Sequence, residues 1–324
     1  MNAPHAARAT LLLAAAAGLA GQGRAQTLSW NNAIGGAASV PGNWSPAGVP
    51  GPASPLNFAL SAAYPVTFNA ASARSASMNF TRGQVSLTMT AAHRTGAVSI
   101  GNGAGTNGSA TLASGTWQTS AFTLGQTFGS AGTLGVSGED SLLECGALSI
   151  AQNTNLLCTA SVTGAAQVTC GNVVLGNNNT LGQGRLTVSG QTQFLPPLRS
   201  RLDATGSITV GVDGVGSLTV ADGGLVSCTQ DLTVAQNLSN PGPVFSEGTL
   251  TVGGAGIRLP ATLNVGGSLK IGRGPTPSSD TGHGSATVNA DGVVNVAGPT
   301  LIGGTGLGSG ALTVNEGARL AGSA

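Results

Sequence analysis

Residues 216–235 read GSLTVADGGLVSCTQDLTVA, and this stretch decides which fold the sequence predicts. Apolar and hydroxyl side chains alternate in Leu218-Thr219-Val220 and in Leu232-Thr233-Val234, which is the period of a strand with one buried face. Asp222-Gly223-Gly224 is a turn signal, because Gly and Asp tolerate the positive φ angles of tight turns. With Leu225-Val226-Ser227 between them, the unit predicts three short strands.

Two phrases of this unit recur along the chain with a basic spacing of about 25 residues. The Leu-Thr-Val phrase or a close variant ends at Leu112, Val136, Val162, Val188, Val220, Val252, Val288 and Val314. A second β-rich triplet closes on Gly or Ala at Gly101, Gly125, Ala151, Gly176, Gly211, Ala235, Gly272 and Gly303. One such unit is too small to bury its apolar side chains alone, but stacked copies can.

The repeat therefore predicts an all-β chain folded as a right-handed parallel β-helix, a solenoid of about eight coils of about 25 residues. Each strand is expected to pair in parallel with its counterpart one coil along. The alternative is a β-sandwich or barrel of many short strands. It is less favoured because hairpin folds do not require the same phrase at the same place in each unit.

The composition excludes several classes of protein. Charged residues make up 7% of the chain and the net charge is +1, so no basic surface exists to neutralise the phosphates of a nucleic acid. Hydrophobic residues make up 40%, which argues against intrinsic disorder. Gly accounts for 53 of the 324 residues, as expected for a chain with many turns.

The N-terminal segment has the features of a secretory signal peptide, assigned to residues 1–25. Arg8 precedes the apolar run 9–20, and Gly23-Arg24-Ala25 places small residues at a cleavage site. The apolar run is too short to span a bilayer, and no later stretch is long enough, so we expect no transmembrane helix in the mature chain. The predicted location is the cell surface, outer membrane or extracellular space.

Residues 26–94 lack the repeat and hold Trp30 and Trp44 among many Pro and aromatic residues. A solenoid end exposes unpaired strand edges, so this region is interpreted as an N-terminal aromatic-rich cap. The parallel β-helix repeats are assigned to residues 95–324. The alternative is a glycan contact built on the two indoles.

Cys145 and Cys170 occupy the same place in adjacent units. Equivalent Cα atoms of neighbouring coils lie close enough for a disulfide, and an exported protein is in an oxidising compartment. The two residues are therefore predicted to form either a stacked pair of buried thiols or a disulfide.

The string Trp30, Gly42-Asn43-Trp44-Ser45, Val49-Pro50-Gly51, then Phe58 and Val66-Thr67-Phe68, followed by Leu-Thr-Val units, resembles the opening of bacterial surface or secreted proteins with autotransporter-type β-strand repeats. The resemblance implies a passenger-like parallel β-helix. Full autotransporters end in an outer-membrane barrel. This chain stops in mid-repeat at Ala324, so the expectation is truncation at the C-terminus, with any barrel lying outside the chain.

No catalytic, cofactor-binding or metal site is predicted. The acidic residues are few and spread out, Glu139, Asp140 and Glu144 being the tightest group, and the cysteines lack the spacing of a zinc site. His93 and His283 are expected to be solvated turn residues. The Thr of each Leu-Thr-Val phrase is expected to point outward, so stacked coils would present a row of hydroxyl groups, the hydroxyl file. Such a row is what ice-binding solenoids present, and ice binding is therefore a third class of function.

The predicted function is a non-enzymatic structural or adhesive passenger, with surface glycans or a host or neighbouring cell surface as partner. The alternative is a polysaccharide-binding or polysaccharide-degrading β-helix protein that uses a surface groove. An enzyme would require Asp203, Asp213 and Asp231 to converge near Arg199 or Arg201, whereas a scaffold would scatter them.

Overall fold

The computed structural model describes residues 26–177, 182–192, 195–236, 246–254, 259–273, 282–303 and 308–322. The predicted signal peptide, residues 1–25, lies outside the described residues. Strand makes up 63% and helix 2% of the structure, and the parallel sheet winds nearly closed round one axis. The prediction of an all-β parallel β-helix is confirmed.

The strands are β1 (Leu28–Trp30), β2 (Gly36–Ala37), β3 (Trp44–Ser45), β4 (Pro55–Phe58), β5 (Ala63–Phe68), β6 (Arg74–Phe80), β7 (Arg82–Met89), β8 (His93–Ile100), β9 (Asn107–Leu124), β10 (Ala131–Ser137), β11 (Ser141–Ile150), β12 (Leu157–Thr163), β13 (Gln167–Asn177), β14 (Gln183–Ser189), β15 (Arg201–Ala204), β16 (Ile208–Val212), β17 (Val215–Ala221), β18 (Leu225–Cys228), β19 (Leu232–Gln236), β20 (Ser246–Val252), β21 (Ala261–Val265), β22 (Leu269–Arg273), β23 (Gly282–Val288), β24 (Gly292–Val296), β25 (Thr300–Ile302), β26 (Ser309–Val314) and β27 (Arg319–Gly322). Two 3-10 helices cover Pro41–Asn43 and Ala70–Ser72.

The strands form two parallel ladders. Ladder B contains the Leu-Thr-Val phrases and runs β2, β5, β7, the first part of β9, β10, β12, β14, β17, β20, β23 and β26. Ladder A contains the second phrase and runs from β1 and β4 through β6, β8, the second part of β9, β11 and β13 to paired short strands that end with β27. Each coil therefore supplies one segment to ladder B and either one longer segment or two short strands to ladder A.

The core consists of files of apolar side chains that run along the axis. In ladder B, Val188, Val220 and Val252 are register partners, and all are buried. Alternating burial along each strand places the intervening Thr and Ser side chains outside. Burial of these files, at roughly 25 cal/mol per Å² of apolar surface, supplies the main driving force for stacking.

The parallel ladders begin earlier than the repeat phrase indicates. Within residues 26–94, β4 to β7 already pair in parallel with strands one coil along. Aromatic side chains hide the repeat there: Phe58 and Phe80 are register partners and lead into the file continued by Ile100. The region predicted as a cap thus contributes coils of its own.

The closing element at the N-terminal end is β3, which pairs antiparallel with β1 and aligns Trp44 with Trp30. The two indole rings meet edge to face at 4.9 Å between centroids. Trp44 Nε1 donates a hydrogen bond of 2.8 Å to the Ala38 carbonyl, so the polar atom of this buried ring is satisfied. These contacts bury both indole rings at the N-terminal end of the described stack.

The Gly or Ala that ends the second phrase forms a corner of each coil with positive φ. Gly101 has φ of 70°, and a Cβ there would lie 2.2 Å from the carbonyl oxygen of Ala131. Ala151 and Ala235 occupy the same corner with φ of 59° and 61°. The recurrence of Gly at this place therefore reflects a backbone requirement, which these two alanines meet at the cost of strain.

Candidate functional site

A groove follows ladder A on its outer surface, where the strands bend. One cavity in the groove has a volume of about 600 Å³ and is lined by residues of β8, β9, β11 and β13 and by Thr205. Gly146 and Gly171 lie at the bend, and a Cβ on Gly171 would lie 2.1 Å from the Gly146 carbonyl oxygen. The bend therefore requires residues without side chains, which leaves room for the groove. Its lining consists of Arg94, Thr95, Gln118, Thr119, Glu144, Cys145, Gly146, Thr169, Cys170, Gly171 and Thr205.

A hydrogen-bonded chain of polar side chains runs along one wall of this groove. Arg94, Gln118 and Glu144 are register partners in successive coils. Arg94 Nε donates to Gln118 Oε1 at 2.6 Å, and Gln118 Nε2 donates to Glu144 Oε2 at 2.5 Å. The chain connects a guanidinium to a carboxylate across three coils, so it fixes the positions of both charged groups.

Cys145 and Cys170 are register partners in β11 and β13, as the spacing predicted. Both are buried, and both are free thiols. The adjacent Cys170 and burial raise the pKa of Cys145 well above its usual range. Since the thiolate is the reactive form, Cys145 is held as a neutral thiol.

The other cysteines lie apart from this pair. Cys228 is two coils beyond Cys170 in the same file, with Ala204 between them. Burial raises the pKa of Cys228 to about 11. Cys158 is buried in ladder B.

A second cavity of about 620 Å³ continues the groove toward the far end of ladder A. It is lined by residues of β18, β21, β24 and β27 and their following turns, including Asn264 and Asn295. Asn295 Nδ2 donates to Asn264 Oδ1 at 2.8 Å. Polar side chains thus repeat along the same outer surface from coil to coil.

The carboxylates considered from the sequence are held by separate partners. Asp203 forms an ion pair with Arg201 and accepts a hydrogen bond from Ser227. Asp231 pairs with Lys270 and accepts from the Ser268 amide at 2.8 Å. The Lys270 ammonium and the Ser268 amide lower the pKa of Asp231. Each of these two carboxylates is therefore fixed within its own part of ladder A.

Asp213, the third residue of that proposed set, is buried in the turn between β16 and β17 with φ of 51°. In the acidic group of residues 139–144, Glu144 alone lines the groove, and Glu139 and Asp140 are exposed in the turn before β11. Among the residues that the structure describes, no three His, Cys, Asp or Glu side chains are arranged to hold a metal ion.

Trp30 and Trp44, the residues considered for glycan contact, are 2% and 1% exposed. A sugar stacks on an open ring face, and the indoles pack instead on each other, Phe58 and Tyr64. The surface contact proposed for them is therefore corrected to a core position.

His93 is wholly buried, so the prediction of a solvated turn histidine is wrong for this residue. Its Nε2 lies 3.0 Å from Ser75 Oγ and its Nδ1 2.9 Å from the Ser72 carbonyl oxygen, while its ring contacts Phe68 at 4.4 Å between centroids. Burial lowers the pKa of His93 to about 4. No sequence motif marked this position, because the partners come from the preceding coil. His283, in contrast, is exposed and lies 2.6 Å from Ser309 Oγ through Nδ1.

The predicted hydroxyl file is present in ladder B. Thr187, Thr219, Thr251, Thr287 and Thr313 are register partners along the outer face. Gly135 interrupts the file between Thr111 and Ser161, as the sequence indicated.

Comparisons of this chain with models of protein families, with curated proteins and with solved structures each found no match. In the described part of the chain, no helix has the length and apolar character needed to cross a membrane.

Proposed function

We propose that this protein is a surface-exposed or secreted passenger of autotransporter type with a structural or adhesive role. The observation that carries the proposal is the unbroken pairing of the ladders, which sets equivalent outward side chains in files along one axis. At about 4.8 Å for each coil, the stack forms a rod of roughly 50 Å. A rod of this kind presents polar groups at a fixed spacing over a long surface.

The proposal also draws on the signal-peptide pattern of residues 1–25 and on the resemblance to autotransporter-type repeats. Sparse charge suits a passenger that contacts neutral or weakly charged surfaces, because few exposed ion pairs must be desolvated on contact.

Polysaccharide binding is a second candidate, and the groove on ladder A favours it. Its wall offers guanidinium, amide, carboxylate and hydroxyl groups in successive coils, which match the hydrogen-bonding groups of a sugar chain. The carboxylate of Glu144 accepts from Gln118, and that of Asp203 is paired with Arg201. We therefore favour binding over cleavage of a glycan.

Export is tested by expressing the full chain in a bacterium and determining the mature N-terminus by mass spectrometry. We expect Gln26 as the first residue and loss of the protein from intact cells treated with an external protease, or its presence in the medium. A chain lacking residues 2–25 is the matched control and should remain inside. Retention of the uncleaved leader in the cytosol would contradict the proposed location.

Adhesion is tested with beads that carry the purified chain from residue 26 onward. We expect their retention on bacterial or host cell surfaces to exceed that of beads coated with an unrelated protein of similar net charge. Equal retention would remove the adhesive role and leave the structural one.

A further inference from the structure

Two arginines lie opposite each other at the N-terminal end of the groove. Arg74 in β6 and Arg94 in β8 are register partners in ladder A, and both are exposed. Like charges directly opposite in neighbouring strands destabilise a sheet. Among the described residues, neither guanidinium has a carboxylate partner within ion-pair distance. An anion between them would convert this repulsion into attraction.

A cavity of about 240 Å³ lies at these arginines, lined by Pro52, Arg74, Ser75, Arg94 and Thr95. Arg94 Nε is bound to Gln118, which leaves the two terminal nitrogens of the guanidinium for another partner. The hydrogen-bonded chain to Glu144 thus orients Arg94 without neutralising it directly.

Thr95 supplies an independent indication of a ligand. It is 9% exposed, and its buried Oγ1 has no hydrogen-bond partner among the residues that the structure describes. Burying a hydroxyl without a partner costs stability. Thr95 lines the cavity beside Arg94, and a rotation about its Cα–Cβ bond would bring the buried Oγ1 to the cavity, where it could donate a hydrogen bond to an oxyanion.

The small cavity leads into the larger one, since Arg94 and Thr95 line both. Beyond them the groove passes Gln118, Glu144 and Thr169 along the axis of the rod. A ligand seated at the arginines would therefore extend along a wall of polar groups, where its hydroxyls can donate to Glu144. This arrangement suits an elongated ligand with an acidic group and many hydroxyls.

We propose that Arg74, Arg94 and Thr95 form a subsite for one oxyanion group, a carboxylate or a sulfate ester, carried by an acidic glycan that lies along the ladder A groove. The inference rests on the proposed function in taking a surface glycan as the partner. Arginine binds both oxyanions through paired N–H donors. The chain carries few other basic residues, so binding is local to this subsite.

The test is calorimetric titration of the purified chain with three probes: an oligogalacturonate, a sulfated oligosaccharide and a neutral maltooligosaccharide of similar length. We expect binding of at least one acidic probe and a Kd for the neutral probe at least about tenfold weaker. The acidic probe that binds more tightly identifies the oxyanion. Equal binding of the neutral probe, or no binding of either acidic probe, would overturn the proposal.

Variants then locate the site. Arg74→Gln and Arg94→Gln should each weaken the acidic probe by about tenfold or more. Arg185→Gln is the matched control, because Arg185 is exposed on ladder B, away from the groove, and should leave the Kd unchanged. The assignment would be contradicted if Arg185→Gln weakened binding as much as the groove variants do. It would also be contradicted if both groove variants bound the acidic probe as tightly as the unchanged protein.

The variant Thr95→Val distinguishes a ligand-binding role of the Thr95 hydroxyl from a purely structural role. Removing the unpartnered hydroxyl should raise the melting temperature of the free protein, or leave it unchanged, while weakening the acidic probe several-fold. Unchanged affinity would exclude Thr95 from the subsite.

The outcome is distinguishable from that of the function proposed above. Cell-surface adhesion that survives Arg94→Gln would retain the passenger role and reject the subsite. Binding of an acidic probe in solution by a chain that is never exported would do the reverse.

Discussion

The two ends of the described stack differ in how their last coils are covered. At the N-terminal end, β3 closes over β1, and Trp44 is 1% exposed. At the other end, Ile302 and Leu301 in β25 are 50% and 48% exposed, although they continue the same ladder. The comparison shows that the repeat alone does not protect a coil: each coil is buried by its neighbour, and an end needs a different element.

The most direct way to break this contrast is to open the closed end. Trp44→Ala removes a fully buried indole that contacts Trp30 and Phe58, and we expect a loss of about 3–5 kcal/mol of unfolding free energy. Urea unfolding monitored by circular dichroism measures it. Ile34→Ala, at a side chain that is exposed in the same region, should change stability little. A similar small loss in both variants would show that the closing element is dispensable.

Acid should lower the stability of the fold through the buried side chain of His93. Burial lowers the pKa of His93 to about 4 from 6.5, so the unfolded chain takes up this proton at higher pH than the folded chain. The stability tied to neutral His93 is complete above pH 6.5 and is lost as the pH falls toward 4. The expected loss is on the order of 3 kcal/mol.

Denaturant titrations at several pH values measure this slope. His93→Leu, which cannot titrate, should flatten it, and His283→Leu, at an exposed histidine, is the matched control. An identical slope in the His93→Leu protein would assign the acid sensitivity to other groups.

Two isoleucines at the same position of neighbouring coils allow a direct comparison of a covered coil with an uncovered one. Ile271 and Ile302 are register partners, but Ile271 is buried. Ile271→Ala should cost about 2–5 kcal/mol, and Ile302→Ala about 1 kcal/mol or less. Thermal unfolding of the two variants gives the comparison. Equal losses would mean that Ile302 is covered in solution.

The smallest expected effect is the relief of backbone strain at a corner inside the stack. Ala235→Gly relieves a non-glycine residue at φ of 61°, so it should stabilise the chain by up to about 1 kcal/mol despite the added freedom of the unfolded state. Gly101→Ala should act in the opposite sense, because its Cβ would approach the Ala131 carbonyl. Melting temperatures measure both. Destabilisation by Ala235→Gly would show that the corner is not strained.

The parts of this architecture that depend on regular spacing could be predicted from the sequence. The register of Cys145 with Cys170 follows from equal coil length, and the outward threonines follow from alternation in Leu-Thr-Val. The early start of the ladders could not be predicted in this way, because Phe58 and Phe80 stand where later coils have smaller apolar residues.

The candidate site was less accessible to sequence reasoning. Arg74 and Arg94 meet through coils whose length differs from the common repeat, so no fixed spacing marks them. His93 gave no signal either, since its burial depends on Ser72 and Ser75 of the preceding coil. Both examples require knowledge of which residues the winding of the chain brings together.

The orientation of the ladders has a mechanical consequence. In parallel pairing between stacked coils, the backbone hydrogen bonds point along the axis, so a pull along that axis bears on one interface at a time. A single-molecule tether attached at the C-terminal end of the described stack should unfold the rod coil by coil. Each released coil of about 25 residues should lengthen the chain by roughly 85 Å. The protein would thus unfold in steps under force, and the coils distant from the tether would stay folded during a brief rise in tension.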